Sequence, residues 1–462
     1  MSRQPLRGDE LPAPAGAIPG PASHALATRL RRVESRNITQ LSETFPVFWT
    51  EARGAAVRDA DGNVFVDVTA GFGVAHAGHS HPAVAAAIAR QAAQLAHGLG
   101  DVHPPAIKVA LLEQLAAITP GDLGVTILGS AGAEAVEAAL KTARLRTGRS
   151  GIIAFEGAYH GLTGAALAVT HRSDFRQPFA SQLFAGVRHV PYPATDADRA
   201  EHADDPASHP TNGGTVNDAS LQDSLDAVDR AIEAAERTSH PIGAILVEPV
   251  LGRGGIVVPP ASFLPELRER CDGQRILLIL DEIYTGVGRT GRWFACEHVS
   301  TVPDILVAGK ALTGSVPLSA AIGTHDAMEA WPTSTGEAIH TSTFLGNPVA
   351  CAAALAQLGA IENEGLVERA GETGAAIRER TEHWAQTIPG VERAHGIGLL
   401  QAVTFRRPSA PAVMEEALRR GVLVLPEGPD GRTLAITPPA VITRAQLDAA
   451  LEVLEHAIRS QA

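Results

Sequence analysis

Apolar and polar positions along this chain of 462 residues follow two periods. Five short, near-continuous apolar runs, VTILG, GIIAFEG, GAILVEPV, ILLILDE and DILVAGK, lie between residues 125 and 310. Runs of this kind read as strands covered on both faces, the habit of a parallel sheet. Helical patterns separate several of them, over Ala133–Thr147, Leu221–Arg237 and Phe263–Cys271. Alternating strands and helices predict an α/β domain with a mostly parallel sheet covered on both sides. Upstream, HPAVAAAIARQAAQLAHG predicts an Ala-rich helix opened by Pro82 in its first turn. Pro105 to Ile118 predicts another helix, and His24 to Ser42 a charged helical segment. Between Pro46 and Val68 short β runs flank the turn Asp61-Gly62-Asn63. After Asn347-Pro348 a long Ala-rich helix leads into the short strands GLLQAVTF, GVLVLPE and TLAITPP, the mixture of a small α+β domain.

These patterns divide the chain into a poorly ordered leader (1–23), an N-terminal segment contributing to the small domain (24–85), a large domain (86–346) and a small C-terminal domain (347–462). The polar stretch Pro193 to Ala219 reads as a surface excursion within the large domain. Apolar content of 45% and charged content of 19% are those of an ordinary globular protein. The net charge of −13 argues against a nucleic-acid or anionic-membrane partner. Cys271, Cys296 and Cys351 are too scattered for a disulfide framework or a zinc site, so a reducing cytoplasm and no bound metal are expected. No stretch reaches ~18 consecutive apolar residues, so no membrane span is expected.

The chemistry concentrates between Ile276 and Leu318. One apolar run ends in Asp281-Glu282 and the next in Gly309-Lys310. Strand ends on the C-terminal edge of a parallel sheet are where α/β proteins place ligands. A carboxylate and an amine emerging there suit a cofactor with a basic ring nitrogen and an aldehyde; pyridoxal phosphate is such a cofactor. Gly129-Ser130-Ala131-Gly132-Ala133-Glu134 joins a strand to a helix, and free N–H groups at a helix start suit a phosphate.

The run LDEIYTGVGRTGRWFA followed by PDILVAGKALTG resembles the signature of the class III (ornithine/4-aminobutyrate-type) aminotransferases, and matches continue from about Pro46 to Pro439. The resemblance implies a fold-type-I transferase dependent on pyridoxal 5'-phosphate, a homodimer with a shared active site, and a ping-pong exchange between an amine donor and a keto acid. Lys310 would form the Schiff base and, once released, carry the proton between carbons; Asp281 would pair with the ring nitrogen. The amides of Gly132 and Ala133 would hold the phosphate, although Ala131 stands where the family has Ser or Thr. Tyr159 would stack on the ring, with His160 beside it among the cofactor contacts, and Glu248 would play a supporting polar role. Tyr284 replaces a Gln that bonds the cofactor's phenolic oxygen; its hydroxyl could make the same bond. Thr343, in His340-Thr341-Ser342-Thr343, matches a residue that reaches the neighbouring subunit's phosphate.

The substrate side departs from the family. Where relatives carry a gate glutamate, Glu248-Pro249-Val250-Leu251-Gly252 continues into Arg253, and the carboxylate-gripping arginine three places before Pro438 is Ala435. Arg432 falls at an odd strand offset, on the opposite face. Arg253 and Phe72 are the substrate-side candidates. Arg253 either takes over the carboxylate or serves the keto-acid acceptor alone. The expected donor is an ω-amine, a diamine or a 4-aminobutyrate-like compound. An aminomutase, a decarboxylating dialkylglycine-type transaminase and a non-catalytic cofactor-binding protein are the alternatives.

Overall fold

The structure is a computed structural model that describes residues 4–193 and 218–461. The strands β1 (Trp49–Arg53), β2 (Ala56–Asp59) and β3 (Val64–Asp67) form an antiparallel meander near the N-terminus. Its β2–β3 turn is the Asp61-Gly62-Asn63 segment, with Gly62 at φ +94°. Residues 4–20, expected as a poorly ordered leader, pack instead. Leu6 is buried, and Ala13 exchanges backbone hydrogen bonds with Val64. A few apolar anchors and backbone pairing suffice to tie down a Pro-rich segment. The helix expected from His24 to Ser42 is Pro21–Leu30 only. Beyond it Val33 and Ile38 are strongly exposed, so no apolar face rewards a longer helix.

The central sheet is built from β4 (Leu123–Gly129), β5 (Gly151–Phe155), β6 (Val187–Val190), β7 (Ile242–Val247), β8 (Leu277–Asp281), β9 (Ile305–Ala308) and β10 (Ser319–Thr324). Their spatial order is β4-β10-β9-β8-β7-β5-β6. Neighbours pair in parallel from β9 through β6, whereas β10 runs antiparallel to both β4 and β9. The connection Gly309–Leu318 is too short for a parallel crossover, which needs a dozen residues or more. All positions of β5, β7, β8 and β9 are buried, as continuous apolar runs require. β6 and β10 carry no such run: VRHV is half polar, and SAAIGT is mostly small residues of low strand propensity.

Four more strand pairings complete the fold. β11 (Val391–Ile397), β12 (Leu400–Phe405), β14 (Leu425–Glu427) and β15 (Thr433–Ile436) make an antiparallel sheet in the order β11-β12-β15-β14, while β13 (Val422–Leu423) crosses to pair in parallel with β3. Residues near the two ends of the chain thus share a sheet. The excursion expected at Pro193 to Ala219 falls almost wholly outside the described residues. Because β4, β5, β7, β8 and β9 all point the same way, the residues that follow them emerge on one edge of the central sheet, facing the C-terminal strands.

Candidate active site

A cavity of about 310 Å³ opens on that edge, lined among others by Gly132, Ala133, Tyr159, His160, Glu248, Arg253, Asp281, Tyr284 and Lys310. Its size is at the lower end for small-molecule sites. Asp281, the last residue of β8, is 3% exposed. Successive strand residues face opposite ways, and Glu282 turns from the cavity. It accepts hydrogen bonds from the N–H groups of Ala295 and Cys296 and so ties down the loop that follows.

Asp281 is held on two sides. The N–H of Ile283 donates to Oδ1 at 3.0 Å, and His160 Nδ1 lies 2.8 Å from Oδ2. His160 is itself 1% exposed, and its Nε2 has no hydrogen-bond partner. Its backbone N–H donates to the Thr170 hydroxyl at 2.9 Å, which fixes the loop after β5. Glu248, just past β7, accepts from the N–H groups of Tyr159 at 2.9 Å and Gly252 at 3.0 Å. Burial pushes its carboxyl above the ordinary range. Its role in the chain is to staple the Tyr159 loop to the Arg253 loop.

Lys310 follows β9 at φ +42°, a left-handed conformation costly for a residue with a Cβ. The surface it keeps opens on the cavity. Enclosure disfavours its charged form and lowers its pKa to about 8, against the pull of Glu248 and Asp281. Its Nζ stands 3.8 Å from the centroid of the Tyr284 ring. The Tyr284 hydroxyl reaches Thr437 Oγ1 at 3.4 Å. The ring, rather than the hydroxyl, therefore faces the amine. Two bare glycines make room for that ring: a Cβ on Gly73 would come within 2.5 Å of Tyr284 Cε2, and one on Gly252 within 2.4 Å of Cδ1.

The helix Gly132–Thr147 begins at the cavity, and the first N–H groups of a helix have no partner within it. Glu134 folds back to accept from the Ser130 N–H at 2.7 Å, and Ser319 Oγ donates to the Ala131 carbonyl at 2.6 Å, so the turn is held from both sides. Tyr159 forms the opposite wall. The Arg253 guanidinium sits over its ring at 5.1 Å and over that of Phe72 at 5.7 Å. Phe72 is 46% exposed and held at φ +61° by a turn whose Gly71 N–H donates to Thr69 Oγ1 at 3.1 Å. Both substrate-side candidates thus meet at the mouth.

Ala435 lies buried against Tyr284 and Val250, so the position of the family's carboxylate arginine is apolar. Arg432 is engaged elsewhere, donating to the Phe405 carbonyl at 2.8 Å and to Glu392. Thr343 is exposed and does not line the cavity. Two charged residues at the site escaped the sequence reading. Glu427 ends β14 with its Oε2 3.8 Å from Arg253 Nε, and Arg172, stacked on Phe175 at 4.8 Å, acts electrostatically on both Tyr159 and Glu427. Glu427 carried a usable signal, since like Asp281 it is an acid closing an apolar run. Arg172 carried none.

The donor set suits pyridoxal phosphate. An amine of lowered pKa, a buried carboxylate, an open helix start and an aromatic wall surround one cavity, and His160 leaves a ring nitrogen unpartnered there. Residues 38–458 match the family model described as Aminotransferase class-III. An acetylornithine aminotransferase of Methanosarcina mazei is 36% identical over 424 residues, covering 92% of this chain and 95% of its own. A 4-aminobutyrate aminotransferase of Mycobacterium leprae is 34% identical over 455 residues, covering 95% and 96%. Among solved structures, a thermostable (S)-enantioselective omega-transaminase from Thermomicrobium roseum superposes with a TM-score of 0.84 at 27% identity, covering 95% of this chain and 98% of that one.

Proposed function

This chain belongs to the class-III aminotransferases, and from that premise we propose that it moves an amino group from an ω-amine, a diamine or a 4-aminobutyrate-like donor to a keto acid. The cofactor is pyridoxal 5'-phosphate, and the reaction is a ping-pong transamination. When bound, the cofactor supplies an aldehyde for the amine and a ring that draws electrons from the reacting carbon. Asp281, braced by His160, holds negative charge at the ring nitrogen and so keeps that nitrogen protonated. Lys310 takes the proton from one carbon and returns it to the other; a pKa near 8 leaves a useful share of free amine at neutral pH. Gly132 and Ala133 offer N–H groups to the phosphate, Tyr159 packs on the ring, and the Tyr284 ring orients the lysine amine.

Arg253 grips the substrate carboxylate. The observation that carries this assignment is its guanidinium in the cavity wall, over the rings of Tyr159 and Phe72, in a site where the position of the family's carboxylate arginine is the apolar Ala435. A planar guanidinium suits a carboxylate bidentately.

The working form is a cytoplasmic homodimer in which Thr343 serves the partner's phosphate. Exposed apolar side chains support the dimer: Leu95, Leu99 and Val102 lie on the segment against which Phe344 packs, its ring 5.6 Å from that of His97 between centroids. The three cysteines are buried and unpaired, in keeping with a reducing compartment. A matrix of donors (4-aminobutyrate, putrescine, ornithine, 1-phenylethylamine) against acceptors (pyruvate, 2-oxoglutarate) tests the reading. Turnover with a terminal amine and a keto acid supports it. Carbon dioxide release, or turnover without any acceptor, would replace it with a decarboxylating transaminase or a mutase.

A further inference from the structure

Glu427 is a buried charge beside Arg253 that the chemistry above leaves unused. It is 3% exposed, and its Oε2 has no hydrogen-bond partner. Arg253 faces it, Nε to Oε2 at 3.8 Å, beyond hydrogen-bond distance, and that Nε is unpartnered too. The main chains of the two segments are nonetheless joined, since the Gly428 N–H donates to the Arg253 carbonyl at 3.1 Å. The side chains therefore confront each other across a fixed gap without closing it.

The other charges acting on Glu427 are Lys310, Arg172 and Glu248, and the Tyr284 phenol lies close enough to feel it. Across the sheet, β15 opposes Glu427 with the uncharged Thr433. Arg253 is the strongest cationic influence, and its side chain borders the substrate space. A carboxylate this deep is costly to keep ionised once its counter-ion leaves.

Building on the assignment of Arg253 to the substrate carboxylate, we propose that Glu427 is a specificity-determining residue that couples carboxylate binding to proton uptake. In the resting site Arg253 neutralises Glu427. When a substrate carboxylate enters, the guanidinium pairs with it, and Glu427 takes one proton from solvent in place of the lost cation. Charge balances: one carboxylate and one proton enter together. A substrate without a carboxylate leaves the pair intact. Burial already raises the Glu427 pKa to about 7 with Arg253 opposing the shift, so withdrawal of Arg253 drives it higher. Carboxylate substrates then bind more weakly as pH rises above about 7, approaching tenfold per pH unit while one proton is linked.

The test uses the holoenzyme and glutarate, an unreactive dicarboxylate. Titration calorimetry at slightly alkaline pH, in phosphate and in Tris, reads proton uptake from the difference in heats. The wild-type protein is expected to take up close to one proton per glutarate. Glu427→Gln is expected to bind glutarate without proton exchange, its Kd flat across neutral pH where the wild-type Kd rises about tenfold per pH unit. Wild-type binding without uptake, or equal uptake in Glu427→Gln, overturns the proposal. Arg253→Leu separates it from the reading beneath it. If Arg253→Leu binds glutarate as tightly as wild type, or wild type binds none, the assignment of Arg253 falls. If Arg253→Leu loses glutarate and Glu427→Gln keeps its uptake, only the role of Glu427 falls.

Discussion

His160 Nδ1 lies 2.8 Å from Asp281 Oδ2, and neither side chain is more than 3% exposed. The contact joins the loop after β5 to the end of β8, so the carboxylate is aimed before any cofactor arrives. Asp281→Asn keeps the shape and removes the charge. Its kcat is expected to fall by about 10²–10³-fold, the scale of losing one preorganised electrostatic contact. His160→Gln should cost less, about 1.5–3 kcal/mol of a charge-assisted hydrogen bond. Single-turnover rates with saturating donor check both, and an Asp281→Asn enzyme at wild-type rate contradicts the role given to Asp281.

Lys310 makes a prediction about stability. Its pKa is lowered to about 8 in the folded protein against 10.5 for a free lysine. The unfolded chain therefore binds more protons between pH 8 and 10.5, and the cofactor-free protein gains stability as pH rises through that window. Below it the penalty is complete, about 3 kcal/mol at roughly 1.4 kcal/mol per pH unit. Cofactor-free Lys310→Met should be more stable than wild type by up to that amount at neutral pH, and the advantage should vanish above the window. Urea denaturation at both pH values reads the difference.

Arg253→Ala is expected to raise KM for pyruvate and 2-oxoglutarate, on the 2–5 kcal/mol scale of removing one partner of a desolvated charge contact. KM for an amine donor lacking a carboxylate should change little by comparison. Unchanged KM for every keto acid would remove Arg253 from the substrate site.

Phe344 and Thr343 test the shared site. Phe344→Asp places a charge among these exposed apolar side chains and should shift the protein to monomer in analytical ultracentrifugation, with loss of cofactor. Thr343→Ala should leave the dimer intact and weaken cofactor binding by about 1.5–3 kcal/mol, the value of a hydrogen bond to a charged group. A fully active monomer would count against a site completed by the partner.

Much of this site could be read in the sequence because strand ends announce themselves. Asp281 and Lys310 close apolar runs that can only be buried strands, and parallel strands bring such ends to one edge. The same logic carried Glu248 and the start of the helix at Gly132. It failed where periodicity is silent. β10 is made of small residues, so its place between β4 and β9 had no apolar signature. The leader was misread because Pro and Gly content conceals Leu6, whose burial depends on a strand far along the chain. Side-chain direction was the other limit. The residue Tyr284 was expected at the site, yet only the bare surfaces of Gly73 and Gly252 explain why its ring, not its hydroxyl, meets Lys310. Glu427 meets Arg253 only through the fold, where the end of β14 lies against the loop that follows β7.

The chain contains three lysines, Lys108, Lys141 and Lys310, so the attachment of the cofactor can be decided outright. Borohydride reduction of the holoenzyme, followed by peptide mass mapping, should find the pyridoxyl group on Lys310 alone, and Lys310→Ala should retain none. A pyridoxyl group on Lys108 or Lys141, or full incorporation in Lys310→Ala, would contradict the account at its centre.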